Sequence, residues 1–184
     1  MHKAWQKTLP ERKLLIVRPG VVFGPGEGGN VTRLVRSLVK GYFVYMGNKE
    51  TRKAGGYVKE LSNVFLFGVD YQKKSCEGVP LLNFYVQPTP ALSQYVDAIC
   101  KVGGIKRIPF SIPRKLHLGI SHPIDFVASI FGIKQPISPT RIRKLCRSTN
   151  IEPRRLQDLG YAYQYTLEES SADWEKDKPE DFRR

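Results

Sequence analysis

Four apolar residues, Leu14 to Val17, run straight into five glycines and two prolines packed within the eleven residues from Pro19 to Gly29. No other stretch limits the possible folds of this chain so strongly. The apolar run is short and β-rich, as in strands buried on both faces of a parallel sheet, and Pro19, which lacks an N–H for the ladder, is expected to close it. The glycines that follow cannot form regular structure, but they let backbone N–H groups approach a ligand closely. Val31, Leu34, Val35, Leu38 and Val39 then recur at helical spacing, which predicts an amphipathic helix over Val31 to Lys40, with Asn30 or Thr32 as its cap and Gly41 as its stop.

Gly24-x-Gly26-x-x-Gly29 between a strand and a helix has the spacing of the dinucleotide fingerprint, which places phosphates at the helix N-terminus. That fingerprint needs a tight turn directly after the strand. Here Pro19, Gly20 and Pro25 spread the connection over about ten residues, against the two to six usual for such loops. The segment therefore reads as a glycine-rich connection beside a ligand cleft.

Further along, Tyr42 to Met46 is strand-like, Gly47-Asn48 a turn and Tyr57-Val58 extended. Helices are predicted over Leu61 to Val69, from Thr89-Pro90 to Val102, and from a cap at Thr149 or Asn150 to Leu159. Leu81 to Val86 is a further strand. Glu168 to Arg184 reads as a mixed-charge surface helix anchored by Trp174, and the polar N-terminus, without the apolar core of a signal peptide, as the tail of a helix ending before Pro10. Tyr45 and Lys49 stand four apart, but Gly47 and Asn48 between them break the helical turn that would stack a lysine beside a phenol. Glu60 is expected to be structural, an acid favouring a helix N-terminus.

His117 and His122 are five apart and share no helical face, so neither metal binding nor catalysis is expected of them. The stretch from Ile108 to Ile137 is apolar, but its histidines, prolines and Asp125 argue against a membrane span. Cys76, Cys100 and Cys146 form no C-x-x-C pair, so a reduced, cytoplasmic setting and no zinc site are expected. A net charge of +13, concentrated in part at Arg141, Arg143, Lys144, Arg147, Arg154 and Arg155, raises nucleic acid as an alternative partner. No zinc finger, helix-turn-helix or RNP-like run accompanies the charge, and charge alone assigns no function.

Arg18-Pro-Gly-Val-Val-Phe-Gly-Pro-Gly26 resembles the R-P-x-x-V-[YF]-G-P-G segment of the extended short-chain dehydrogenases/reductases, in particular the NAD-dependent epimerase/dehydratase group acting on nucleotide sugars. Gly41 to Gly47, Lys53 to Val64, Leu82 to Val86 and Leu156 to Leu167 resemble later motifs of that family, in its order. The resemblance implies an α/β fold: the C-terminal part of a Rossmann-type parallel sheet plus the small α/β substrate-binding domain. It implies that the cofactor-binding half and the catalytic Tyr-x-x-x-Lys, which lie upstream in the family, are absent from residues 1–184, leaving no catalytic residue and no turnover in this chain. It further implies a nicotinamide cofactor, NAD or NADP, near Pro19, Gly20 and Val21, and a nucleotide-sugar substrate near Gly24, Pro25, Arg52 and Lys53. Lys53 stands where the family usually has an arginine that grips the diphosphate. A homodimer is implied for the full-length family. Val21 departs from the asparagine of many members, and the R-P form also occurs in relatives acting on steroid-like or flavonoid-like alcohols. The reading from a different class is a non-catalytic dinucleotide sensor or a basic nucleic-acid-binding module.

Overall fold

The computed structural model describes residues 2–9, 11–46, 48–75, 80–106, 111–112, 147–149 and 152–183. The fold is α/β with parallel strands. Strand β1 (Ile16–Pro19) pairs in parallel with β5 (Leu81–Phe84), β2 (Val21–Phe23) with β4 (Gly55–Tyr57), and β3 (Tyr45–Met46) with β6 (Ser111–Ile112). The helices are α1 (His2–Gln6), α2 (Asn30–Val39), α3 (Val58–Lys74), α4 (Leu92–Val102), α5 (Arg154–Asp158) and α6 (Leu167–Asp177), the last followed by a 3₁₀ turn at Pro179–Asp181.

The first strand lies two residues later than the apolar run suggested, because its ladder opens where the Ile16 N–H donates to the Pro80 carbonyl at 3.0 Å. Pro19 is its last residue. The Gly20 N–H makes the next bond, 2.9 Å to the Phe84 carbonyl, so proline occupies a position that needs no donor towards β5. Beyond Pro19 and Phe84 the two strands part, and residues 54–56 enter the fork: the Ala54 carbonyl accepts from the Val21 N–H at 2.9 Å, and the Gly55 carbonyl from the Val86 N–H at 2.8 Å. Only glycine fits this wedge. A methyl group on Gly55 would stand 2.3 Å from the Tyr95 hydroxyl, and one on Gly56 2.4 Å from the Phe84 ring.

Other boundaries move for reasons the local sequence does not carry. Helix α2 starts at Asn30, but neither Asn30 nor Thr32 caps it; Gly29 is the N-cap, and the Glu27 carboxylate reaches over to the Thr32 N–H (3.1 Å) and hydroxyl (2.7 Å). Gly41, with φ +77°, ends the helix as expected. Helix α3 is far longer than Leu61 to Val69, starting directly from β4. Helix α4 begins at Leu92 and not at Thr89-Pro90, because the carbonyls of those two residues are taken by Arg52 and Lys53; the Gln94 side chain instead reaches back to the Ala91 N–H at 2.8 Å. Helix α5 has Pro153, not Thr149, as its N-cap, and Asn150 lies outside the described residues.

Two apolar clusters form the core. One gathers Phe23, Val35, Tyr57, Val96, Ile99 and Trp174 among β2, β4, α2, α4 and α6; the other packs Val64 of α3 and Leu156 of α5 against Leu82 and Phe84. Trp174 is the expected anchor, and the helix it holds ends at Asp177 with one face buried: Ser170 and Ser171 are buried with Trp174, whose indole N–H donates to Asp181 at 3.2 Å, while Glu168, Glu169, Ala172 and Lys176 are exposed. Thr166 and Glu169 cap α6 reciprocally, each side chain accepting from the other residue's backbone N–H.

Candidate functional site

Ligands of open parallel sheets collect at the carboxyl ends of the strands, where neighbouring strands part. In this chain that place is the fork. Pro19 and Val21 are exposed there, on either side of Gly20, whose own space is closed because a Cβ would meet the Ala54 carbonyl oxygen at 2.3 Å. Gly24 is buried, with φ +142°, and Pro25 is half-buried at the start of the loop leading to α2. The literal phosphate-loop reading of that loop fails on geometry. The Glu27 carboxylate already takes the N–H of Thr32 in the first turn of α2, so the place a phosphate would occupy holds one of the chain's own anions.

Arg52 and Lys53 run along the other margin of the wedge. Arg52 bridges to Ala91 and Lys53 to Thr149 through the backbone, and the two side chains fasten themselves to carbonyls: Arg52 Nη1 to Thr89 at 2.6 Å, Lys53 Nζ to Arg147 at 2.7 Å. Thr149 closes the arrangement. Its N–H donates to the Arg52 carbonyl and its hydroxyl accepts from the Ala54 N–H, both at 3.0 Å, while the Tyr95 hydroxyl donates to the Lys53 carbonyl at 3.1 Å. The segment from Arg52 to Ala54 is therefore held on three sides before it enters the fork. The structure thus brings Pro19, Gly20, Val21, Arg52 and Lys53 to one region, with Gly24 and Pro25 following along the same chain.

The end of the wedge is fixed by residues that local sequence does not connect. Tyr57, fully buried, donates its hydroxyl to Asp173 of α6, and Lys59 bridges Asp173 (2.6 Å) and Asp177 (2.8 Å). Glu60, at the third position of α3, is also fully buried. Its carboxylate accepts from the Tyr161 hydroxyl and from the backbone N–H groups of Gln164 (3.0 Å) and Tyr165 (2.8 Å). The expectation that Glu60 is structural agrees with this arrangement, though its partners lie about a hundred residues downstream.

A tyrosine acting as a general base needs its hydroxyl pKa brought down towards neutrality. The displaced tyrosines here go the other way. Burial, then the hydrogen bond to Asp173, pushes Tyr57 up; burial, then the bond to Glu60, does the same to Tyr161; burial raises Tyr95 and Tyr163, and lifts Tyr85 to about 12. Tyr45 lies in strand β3 with its ring 5.0 Å from that of Phe43, and Lys49 follows in a turn, so this pair is not stacked on a helix. No group of His, Cys, Asp and Glu among the described residues could hold a metal, and Cys100 is buried and forms no disulfide. His117, His122, Cys76, Cys146, Arg141, Arg143 and Lys144 lie outside the described residues. No helix among the described residues is long and apolar enough to cross a membrane.

No family model matches the chain. It is 29% identical over 168 residues to the Escherichia coli O157:H7 N-acetyl-alpha-D-glucosaminyl-diphospho-ditrans,octacis-undecaprenol 4-epimerase, a match covering 90% of this chain and 49% of that protein. Among solved structures, a human epimerase-family protein crystallised with NADPH superposes with a TM-score of 0.64 at 16% identity, covering 89% of this chain and 48% of the other. The UDP-Glc/GlcNAc 4-epimerase of Campylobacter jejuni superposes with a TM-score of 0.62 at 16% identity, covering 95% and 52%. At these identities the structural matches speak for the fold. The chain spans about half the length of the relatives it matches.

Proposed function

We propose that this chain, which belongs to the extended short-chain dehydrogenase/reductase family of NAD-dependent epimerases and dehydratases, supplies the substrate side of an enzyme acting on a sugar joined to a diphosphate, and performs no hydride transfer as residues 1–184 alone. The observation carrying this reading is the fork at the carboxyl ends of β1 and β5, with Arg52 and Lys53 anchored along one margin and Pro19 and Val21 exposed at the other. The two 4-epimerases named above act on UDP-linked or polyprenol-diphosphate-linked sugars, and the diphosphate is what those substrates share.

Each side chain has a specific part in this reading. Lys53 brings a compact charge with three donors and Arg52 a planar fork of donors, suited to phosphate oxygens. The carbonyl bonds they make in this structure hold one N–H of each charged end and leave both charges in place. Gly24 and Pro25 border the substrate where the loop leaves β2. Pro19, Gly20 and Val21 are suited to the nicotinamide end of NAD or NADP, as a flat backbone stretch with Gly20 closed off against Ala54. The pyrophosphate end finds no cradle among the described residues, since Glu27 holds the N-terminus of α2. When bound, the nicotinamide supplies the hydride acceptor; in this reading the base that takes the sugar hydroxyl proton is none of Tyr57, Tyr85, Tyr95, Tyr161 and Tyr163, whose hydroxyls all move away from that role.

Two outcomes follow. Purified 1–184 is expected to show no NAD(H)-dependent epimerase, dehydratase or reductase turnover with UDP-glucose or UDP-N-acetylglucosamine; reproducible activity would overturn the reading. By calorimetry the chain is expected to bind UDP-N-acetylglucosamine at least tenfold more tightly than free N-acetylglucosamine, with Lys53→Ala removing most of the difference, where tenfold is about 1.4 kcal/mol. Equal affinity for the two ligands, or an unchanged Lys53→Ala variant, removes the diphosphate role.

A further inference from the structure

Helix α2 runs away from the glycine loop, and its far end, about 15 Å from Gly29 at 1.5 Å per residue, meets the end of α4. Between them lies a cleft of about 520 Å³, within the roughly 300–1,000 Å³ of small-ligand sites. Phe43, Ile105 and Phe182 give it apolar walls, the glycines at 41, 103 and 104 leave its rim bare of side chains, and Lys40 and Lys106 stand at its mouth. Both lysines are exposed. Asp181, next to Phe182, is engaged with Arg36 and Lys178, and no ion pair among the described residues involves Lys40 or Lys106.

The lining selects a ligand by what it lacks. Among the described residues it contains no hydroxyl, amide or carboxylate side chain, so nothing there would read a nucleobase edge or the hydroxyls of a sugar. An apolar chain fits the walls, and an anion fits the mouth. A lysine at a helix C-terminus also complements the helix dipole, which accounts for Lys40 at the end of α2 but not for a second ammonium facing the same apolar cleft. We infer that this cleft binds an anionic amphiphile, a prenyl or alkyl chain ending in a phosphate or diphosphate, with the chain against Phe43, Ile105 and Phe182 and the head between Lys40 and Lys106. The site is separate from the fork and does not depend on which sugar the fork takes.

Farnesyl diphosphate, farnesol and inorganic diphosphate are the probes, titrated calorimetrically into the full chain and into Lys40→Ala/Lys106→Ala, with circular dichroism to establish that the double variant is folded. Both substitutions are at exposed positions outside the core. The expected result is saturable binding of one farnesyl diphosphate, at least tenfold tighter than either partial probe and weakened at least tenfold in the double variant. UDP-N-acetylglucosamine binding should be unchanged in that variant, so loss of the fork reading and loss of this one are separately visible. The inference is overturned if farnesyl diphosphate fails to saturate, if inorganic diphosphate binds as tightly, or if farnesyl diphosphate binding is indifferent to both lysines, which would place the chain on an exposed apolar surface elsewhere.

Discussion

Glu60→Ala is expected to cost this chain roughly 3–5 kcal/mol of stability, enough to unfold many domains whose total is about 5–15 kcal/mol. The carboxylate is fully buried and accepts three hydrogen bonds, from the Tyr161 hydroxyl and the Gln164 and Tyr165 N–H groups. Removing it strands three donors, each costing about 1–3 kcal/mol where water cannot reach, and leaves a cavity at the start of α3. Water entering that cavity recovers part of the loss, which keeps the figure below the full sum. Glu60→Gln should lose distinctly less, since the amide oxygen can still accept from the backbone and the Tyr161 hydroxyl can turn to accept from the amide. The measurement is a urea titration followed by Trp174 fluorescence at one fixed protein concentration. An alanine variant within about 0.5 kcal/mol of the parent, the range of ordinary surface changes, would mean that the Tyr161 to Tyr165 segment is not held by Glu60.

What the sequence disclosed and what it withheld divide along the distance between interacting residues. The strand–glycine loop–helix order, the stop at Gly41, the strand at Leu81 and the anchoring of Trp174 all rest on local periodicity or on backbone conformations that glycine supports, and the structure has them. The misplaced boundaries have partners far along the chain. Thr149 was expected to cap a helix, but its N–H and hydroxyl are used by Arg52 and Ala54, nearly a hundred residues away. Thr89 and Pro90 form a good local helix start, yet their carbonyls serve Arg52 and Lys53. The loop carboxylate Glu27 displaced Asn30 and Thr32 as the cap of α2 because it can reach two donors of Thr32 at once. For the candidate site, the resemblance named residues of both margins of the fork, whereas the wedge of Ala54 to Gly56 between the parting strands was not legible. Its only local signal was the pair Gly55-Gly56, and a glycine pair does not say what approaches it.

Residues 1–184 alone are expected to associate, or to be partly unfolded, at micromolar concentration. Parallel sheets are normally covered on both faces, and among the described residues β1 with β5 is covered on one. Val17, Leu82 and Phe84 pack under α3 and α5, while Ile16 and Leu81, which point to the opposite face, belong to neither core cluster. Among the described residues β1 pairs with β5 alone, leaving its other edge open to strand addition. Further apolar surface stands on α1 and α3, where Trp5 is 49% exposed, Phe65 44% and Leu66 66%. Withholding about 200 Å² of apolar surface from burial, at about 25 cal/mol per Å², forgoes about 5 kcal/mol, the lower end of a domain's entire stability. We propose that the covering layer is the cofactor-binding half of the same fold, consistent with relatives twice the length of this chain. Sedimentation velocity should then show concentration-dependent oligomers of purified 1–184, and a hydrophobic-surface dye should fluoresce on binding it. A monomer that melts sharply in one two-state transition and leaves the dye dark would show that the open edge and the half-covered face need no partner, and the proposal of an absent half would fall with it.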